Sequence, residues 1–400
     1  MGGVPAVGYV RLDVVTADRP PAPARELADP TRLENAHLAV RLDLATGTVA
    51  SLVDKASGRE LVNRESAFGF NAYVYDRYAT VGRSNHNSSK FADDGGLFLI
   101  SSRDVAGPAA VVSAAEDERG QHVVLEQRVA GADWLRVTYR LPADLPYLEI
   151  VDRLRKPRTW DKESAYLAFP FAAADPVVLT ESAGGLTGPG VPQVPGGAEY
   201  MRAVRHFVSI VDGEYATAWA SADVPLVEVG TIALPYVPFP STLPVTEPGT
   251  VFSWLHNNIW DTNFPVEQAF ETDLRFRVAG GRTHGPALAA ATAAALVRPL
   301  RPVLAEHSGA EAPAAASLLA VADPRVQLVG LQTLAAGRVL VRLVSHAPEG
   351  TETELRLPTG VQQAWRSTYL GEPLEPLPVG GGTVPVRFRG AGVRAVLLGL

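Results

Sequence analysis

Across residues 33–278 apolar and polar positions alternate with a period of two. Leu38, Val40, Leu42 and Leu44 interleave with Ala39, Arg41 and Asp43, and Ala45-Thr46-Gly47-Thr48 supplies a hairpin turn. Leu135, Val137, Tyr139 and Leu141 interleave in the same way with Arg136, Thr138 and Arg140. Successive side chains of a strand point to opposite faces, so each run predicts a strand with one buried face and one wet face. Asp54-Lys55-Ala56-Ser57-Gly58 predicts a further turn. Leu148 and Ile150 lead into another strand through Val151-Asp152-Arg153-Leu154.

Two turn-rich insertions break this rhythm. Residues 78–96 are polar around Asn85-His86-Asn87-Ser88-Ser89, and residues 184–197 are rich in Gly and Pro. Long loops carried on a rigid β-scaffold have this composition. Residues 285–300 predict the one helix: Pro286 suits a first turn, and alanines with Leu288 and Leu296 follow. After a connector, residues 339–344, 354–357, 384–388 and 393–398 read as strands again. At the start, the strand-like run 8–15 has no partner strand before it and leads into a Pro/Ala-rich linker at 19–25. The expected division is a strand and linker at 1–28, a large β-domain at 29–284, a helix and connector at 285–320, and a terminal β-sandwich at 321–400.

Composition excludes several functions. A formal net charge of −7 gives no basic footprint for nucleic acid. The absence of cysteine rules out disulfides, thiol catalysis and thiolate metal sites. No run approaches the ~20 apolar residues that span a bilayer, and the N-terminal residues do not read as a secretory signal. A cytoplasmic protein without a membrane partner is expected.

Candidate chemistry concentrates in residues 252–265, where Phe252, Trp254, Trp260, His256, Asn257, Asn258 and Asp261 lie close together. Indole faces and amides of this kind suit a hydroxylated ligand, but the simpler reading is structural: the aromatics fill a core while Asn and Asp close turns. None of the eight histidines has metal-ligand spacing; His86, with Asp93 and Asp94 nearby, is the best local cluster. Asp161 and Glu163, two apart, share a face if they lie on a strand, although a charged strand edge is the simpler reading.

Several short segments, taken in order, resemble glycoside hydrolase family 38, the α-mannosidases. They are 4–9, Leu33-Glu34-Asn35, Leu42-Asp43, Thr46-Gly47, 51–55, 58–61, 162–171, 225–228, His256-Asn257-Asn258, Trp260 and 262–265. The resemblance is to the part of those enzymes that follows the catalytic domain. It implies an all-β chain: a galactose-mutarotase-like β-supersandwich, then a small β-sandwich, with one short helix between them. It also implies a retaining, zinc-assisted mechanism whose nucleophile, acid/base and metal ligands belong to a domain without counterpart in this chain. No βαβ alternation and no His-x-Asp motif is present. The expectation is therefore no catalytic residue, no metal and no cofactor in this chain, with zinc in a catalytic domain encoded upstream. In the family an early strand of the β-domain places a tyrosine at the sugar cleft, and 70–75 resembles that strand. Tyr73 is the first candidate for a mannoside contact, followed by Asn71, Tyr75, His256, Asn258 and Asp261. Two alternatives stand beside this one: a stand-alone carbohydrate-binding protein, and a mutarotase-like enzyme pairing His206 or His256 with Glu228 or Glu267.

Overall fold

The computed structural model describes residues 7–12, 22–80, 98–182, 184–189, 201–233, 245–258, 267–304, 313–335, 337–357 and 359–400. The chain forms two compact units. The larger comprises Ala22–Ser182 and Thr187–Pro299; the smaller comprises Leu300–Leu400 with Met1–Pro21 and Ala183–Leu186.

The larger unit is built from antiparallel sheets. One runs, in spatial order, through Val177–Ser182, Phe207–Asp212, Tyr215–Ser221, Gln268–Gly281, Tyr147–Thr159, Trp134–Pro142, Gly120–Gln127, Ala109–Asp117 and Arg25–Glu26. A second runs through Arg202–Ala203, Leu226–Val229, Thr250–Asn257, Glu163–Pro170, Ala72–Thr80 and Phe98–Val105. A small sheet joins Arg32–Glu34, Leu38–Asp43, Thr48–Asp54 and Arg59–Glu60. A single apolar core draws on all three, from Leu38 and Val40 through Tyr73 and Leu167 to Val137, Ile150 and Phe276.

The period-two pattern explains most of these strands. In Trp134–Pro142 the alternate residues Leu135, Val137, Tyr139 and Leu141 are buried. Glu163–Pro170 departs from alternation because it lies in the middle of its sheet and is buried at every position. Its Ala165, Leu167 and Phe169 join the main core, while Tyr166 and Ala168 join a separate aromatic cluster with Val74, Phe252 and Trp254.

The predicted helix spans Gly285–Val297, with Pro286 in its first turn. It belongs to the larger unit. A Cβ at Gly285 would lie 2.3 Å from Val211 Cγ2 and 3.3 Å from Ala216 Cβ, so only glycine lets the helix start against these strands. Ala289, Ala290 and Ala293 continue the close contact as small buried residues.

In the smaller unit, Val326–Leu334, Arg338–Ser345, Gly392–Gly399, Gln363–Ser367 and Pro373–Leu377 form one sheet. Ala320–Val321, Thr351–Arg356 and Thr383–Phe388 form another, and Val341, Leu343, Leu355, Val384 and Val396 share one core. The strand Gly8–Val10 is not without a partner: it pairs with Ala315–Ser317. That partner lies some 300 residues downstream, beyond the reach of local pattern.

Candidate functional site

The middle strands of the second sheet bring polar side chains into the core at one end of the larger unit. Register places Ala165 opposite Tyr75 and Leu167 opposite Tyr73. On the other side Ala165 pairs with His256 while Tyr166 pairs with Trp254, so Leu255 is an extra residue in the ladder. Such a bulge shifts the alternation by one. Trp254 therefore stacks on Tyr166 at 5.7 Å on one face, while His256 turns to the other. The Trp254 indole N–H donates to the His256 carbonyl at 3.1 Å, which fixes the bulge.

Lys156 reaches this region from the facing sheet. Its Nζ lies 2.6 Å from Glu163 Oε1, with both side chains buried. It also donates to the carbonyls of Pro157 at 3.3 Å and Gln268 at 3.1 Å. Glu163 Oε2 accepts the Tyr75 hydroxyl proton in a short bond. Buried charges persist only when paired and hydrogen-bonded, and these contacts meet that condition. Desolvation, reinforced by Glu163, raises the Tyr75 hydroxyl pKa well above the ordinary phenol value.

His256 Nδ1 is 4.0 Å from Glu163 Oε1, too far for a hydrogen bond. Burial, and then the Lys156 charge, push the ring down to about 3, so it is neutral at pH 7. Among the described residues both its ring nitrogens lack hydrogen-bond partners, as does the hydroxyl of Tyr73, which is 1 % exposed. Buried polar groups usually find partners, so these unpartnered ones beside an ion pair are exceptions in the core.

Asn71 sits in left-handed backbone at φ 67°, a conformation asparagine tolerates better than most residues. Its Nδ2 donates to Asp152 Oδ1 at 3.0 Å and to the Tyr139 hydroxyl at 3.3 Å. Tyr139 in turn donates to the Gly47 carbonyl at 3.1 Å. Burial pushes the Asp152 carboxyl up to about 7, against the lowering effect of the Asn71 bond.

The remaining candidates fall elsewhere. Asn258 donates to the carbonyls of Thr159 at 3.1 Å and Asp161 at 2.9 Å and so closes a strand end. Asp261 and Trp260, together with His86, Asp93 and Asp94, lie outside the described residues. Asp161 is exposed while Glu163 is buried, so the two do not act as a pair. Glu228 belongs to the opposite face of its sheet, where it accepts from the Tyr166 hydroxyl at 3.2 Å and the Ala233 N–H at 2.5 Å. Burial pushes its carboxyl up to about 8. Glu267 lies 3.3 Å from Arg158, and His206 lies 3.5 Å from Glu181. None of the mutarotase-like pairs is brought together; His256 meets Glu163 instead. Among the described residues no three of His, Asp and Glu gather where a metal ion would fit.

Sequence reasoning passed over Lys156, Asp152 and Tyr139 as site residues. Their signal lay in the strand Tyr147–Thr159, whose buried positions Leu148, Ile150, Asp152, Leu154 and Lys156 continue one alternation. Two charged residues on an apolar phase point to a buried polar site.

No protein-family model and no curated protein matches this chain. Solved structures do. An α-mannosidase from Enterococcus faecalis V583 superposes with a TM-score of 0.65 at 12 % identity, covering 95 % of this chain and 43 % of its own. A glycosyl hydrolase family 38 protein from Enterococcus faecalis gives 0.63 at 13 %, covering 93 % and 44 %. A galactose mutarotase-like protein from Lactobacillus casei ATCC 334 gives 0.36 at 15 %, covering 62 % and 99 %. The chain thus spans less than half the length of the two mannosidase-type structures. At these identities the likeness is one of fold, and at that level the family 38 resemblance holds.

Proposed function

We propose that this chain is the β-rich, non-catalytic portion of an α-mannosidase-like glycoside hydrolase. In this reading it supports mannoside binding and hydrolysis only together with a separate, zinc-carrying catalytic domain. The observation that carries it is the match over 95 % of the chain to an α-mannosidase of which it represents 43 %. A fold does not bring its activity with it, so the sugar contact is argued from the site. Tyr73 is the proposed contact, with Asn71, Tyr75 and His256 as the further candidates among the described residues, Asn258 serving a strand end and Asp261 lying outside them. It is supported by the unpartnered Tyr73 hydroxyl and the two unpartnered nitrogens of His256. Because Tyr73 is buried, sugar reaches it only when its cover is displaced.

Two measurements test this. The purified chain, given zinc or cobalt and an aryl α-mannoside, should show no turnover; chelator-sensitive turnover would overturn the assignment as non-catalytic. Titration calorimetry with mannose and methyl α-mannoside should give heat that Tyr73→Phe abolishes. Heat that survives this substitution removes Tyr73 from the contact. No heat with any sugar leaves the chain a structural role.

A further inference from the structure

A second polar site lies on the small sheet of the larger unit, remote in chemistry from the Lys156–Glu163 cluster. Strand Leu38–Asp43 buries Leu38, Val40 and Leu42 and turns Arg41 and Asp43 outward. The outward side forms one wall of a cleft of ≈ 380 Å³, whose lining includes Arg41, Asp43, Thr48, Asn63, Arg64 and Phe68. Small-molecule sites run from roughly 300 to 1,000 Å³, so the cleft suits a ligand of one ring rather than a chain of them.

The polar lining is not uniformly satisfied. Asp43 is committed to its own turn, accepting from the Ala45 N–H at 2.9 Å and the Thr46 hydroxyl at 3.0 Å. Arg64 donates to Ser51 Oγ at 2.9 Å and Glu60 Oε2 at 2.5 Å, so its charge is already balanced. Arg41 differs. Among the described residues its side chain makes no ion pair and no hydrogen bond, and its cross-strand neighbours are Arg32 on one side and Ser51 on the other. Arg32 lies 3.4 Å from the nearby carboxylate, Asp29, whose charge acts on Arg41 as well but without a direct contact. Like charges opposite one another in a ladder are unfavourable, and an anion bound at Arg41 relieves that cost. Asn63 uses its Oδ1 to accept from the Glu65 N–H at 3.1 Å, and its amide N–H groups have no partner among the described residues. Phe68 supplies the apolar wall, held edge-on by Phe252 at 5.3 Å.

We infer that this cleft binds an acidic monosaccharide, a hydroxylated ring bearing one carboxylate or phosphate group. The anionic group sits on Arg41, the hydroxyls on Asn63 and its polar neighbours, and the ring against Phe68. The inference goes beyond the mannoside reading and uses none of its residues.

Calorimetry on the whole chain tests it with glucuronate, glucose 6-phosphate, glucose and inorganic phosphate. Glucuronate and glucose 6-phosphate are expected to bind roughly tenfold more tightly than glucose, the difference a charge-assisted bond contributes. Arg41→Gln should reduce them to the level of glucose, and Asn63→Ala should weaken both acidic sugars. Arg41 is exposed, and an unchanged thermal melt would show that the Gln variant is folded. Equal binding of glucose, no binding of either acidic sugar, or full retention in Arg41→Gln overturns the inference. Inorganic phosphate binding as tightly as the sugars also overturns it, since the hydroxyls would then be unread. If acidic sugars bind here while mannosides give no heat, this site stands and the Tyr73 contact falls.

Discussion

Replacing Lys156 by Met removes the cation from a buried ion pair and leaves the Glu163 carboxylate in the core. At 2.6 Å the gross attraction is about 6 kcal/mol with an effective dielectric constant near 20, most of which offsets the cost of drying both groups. What the substitution exposes is that drying cost, typically about 3–5 kcal/mol for one stranded partner. Glu163 retains the Tyr75 hydroxyl as a donor, which places the expected loss near the lower figure, ~3 kcal/mol. For a unit of this size that lowers the melting temperature by roughly 6–12 °C. Urea unfolding followed by the fluorescence of buried Trp219 measures it directly. The double variant Lys156→Met/Glu163→Gln removes both charges and should recover most of the loss. If Lys156→Met costs under about 1 kcal/mol, or the double variant costs as much as the sum of its parts, the pair is not dry and the reasoning fails.

Four further outcomes are expected of the larger unit. Tyr73→Phe deletes an unpartnered buried hydroxyl and should stabilise the chain by about 1 kcal/mol in urea, whereas a loss of stability would mean the hydroxyl has a partner. Gly131→Ala should destabilise by more than ~1 kcal/mol, because φ is +71° and the new Cβ would lie 2.1 Å from Tyr75 Cε2; a neutral result would show that the ring moves aside. Glu228 keeps its proton to about pH 8 when folded, against an ordinary value of 4.5. The folded state thus binds the extra proton in that window, stability falls as pH rises through it, and Glu228→Gln should flatten the fall measured at pH 5, 7 and 9. His256 acts at the acid end: folded near 3 against an ordinary 6.5, it contributes stability that is lost as pH falls through that interval. Ring NMR at pH 5 should find it neutral, and a protonated ring there would contradict its burial.

Much of the fold was legible because one face of most strands is wet. The alternations at 38–44 and 135–141 and the turn at Ala45–Thr48 depend only on local pattern, and each lies where the sequence puts it. The helix was legible from Pro286 and its alanines, although not the sheet it packs on. Pairing was the hidden part. Nothing near Gly8 announces Ser317, and nothing near Lys156 announces that the chain reverses around Trp160 to bring Glu163 back against it. A lysine within Arg153-Leu154-Arg155-Lys156 looks like surface; only the phase inherited from Leu148 and Ile150 shows that it points inward. Of the candidate contacts, Tyr73, Tyr75 and His256 lie by Glu163 and Asn71 lies by Asp152, while Asn258 serves the backbone of a strand end. The Arg41 cleft gave no motif at all, because its chemistry arises from which residue lies across the ladder from which.

The extra residue at Leu255 carries a consequence for how this strand tolerates change. Residues on either side of it obey opposite parities, so the strand contains two independent halves. Its aromatic half is fixed by stacking of Trp254 and Phe252, whereas its last residues answer to the polar end of the core. Deleting Leu255 would restore a single parity and leave Trp254 and His256 adjacent on opposite faces, each still across from its present partner, Tyr166 and Ala165. One backbone irregularity thus lets packing and polar chemistry vary separately along eight consecutive residues.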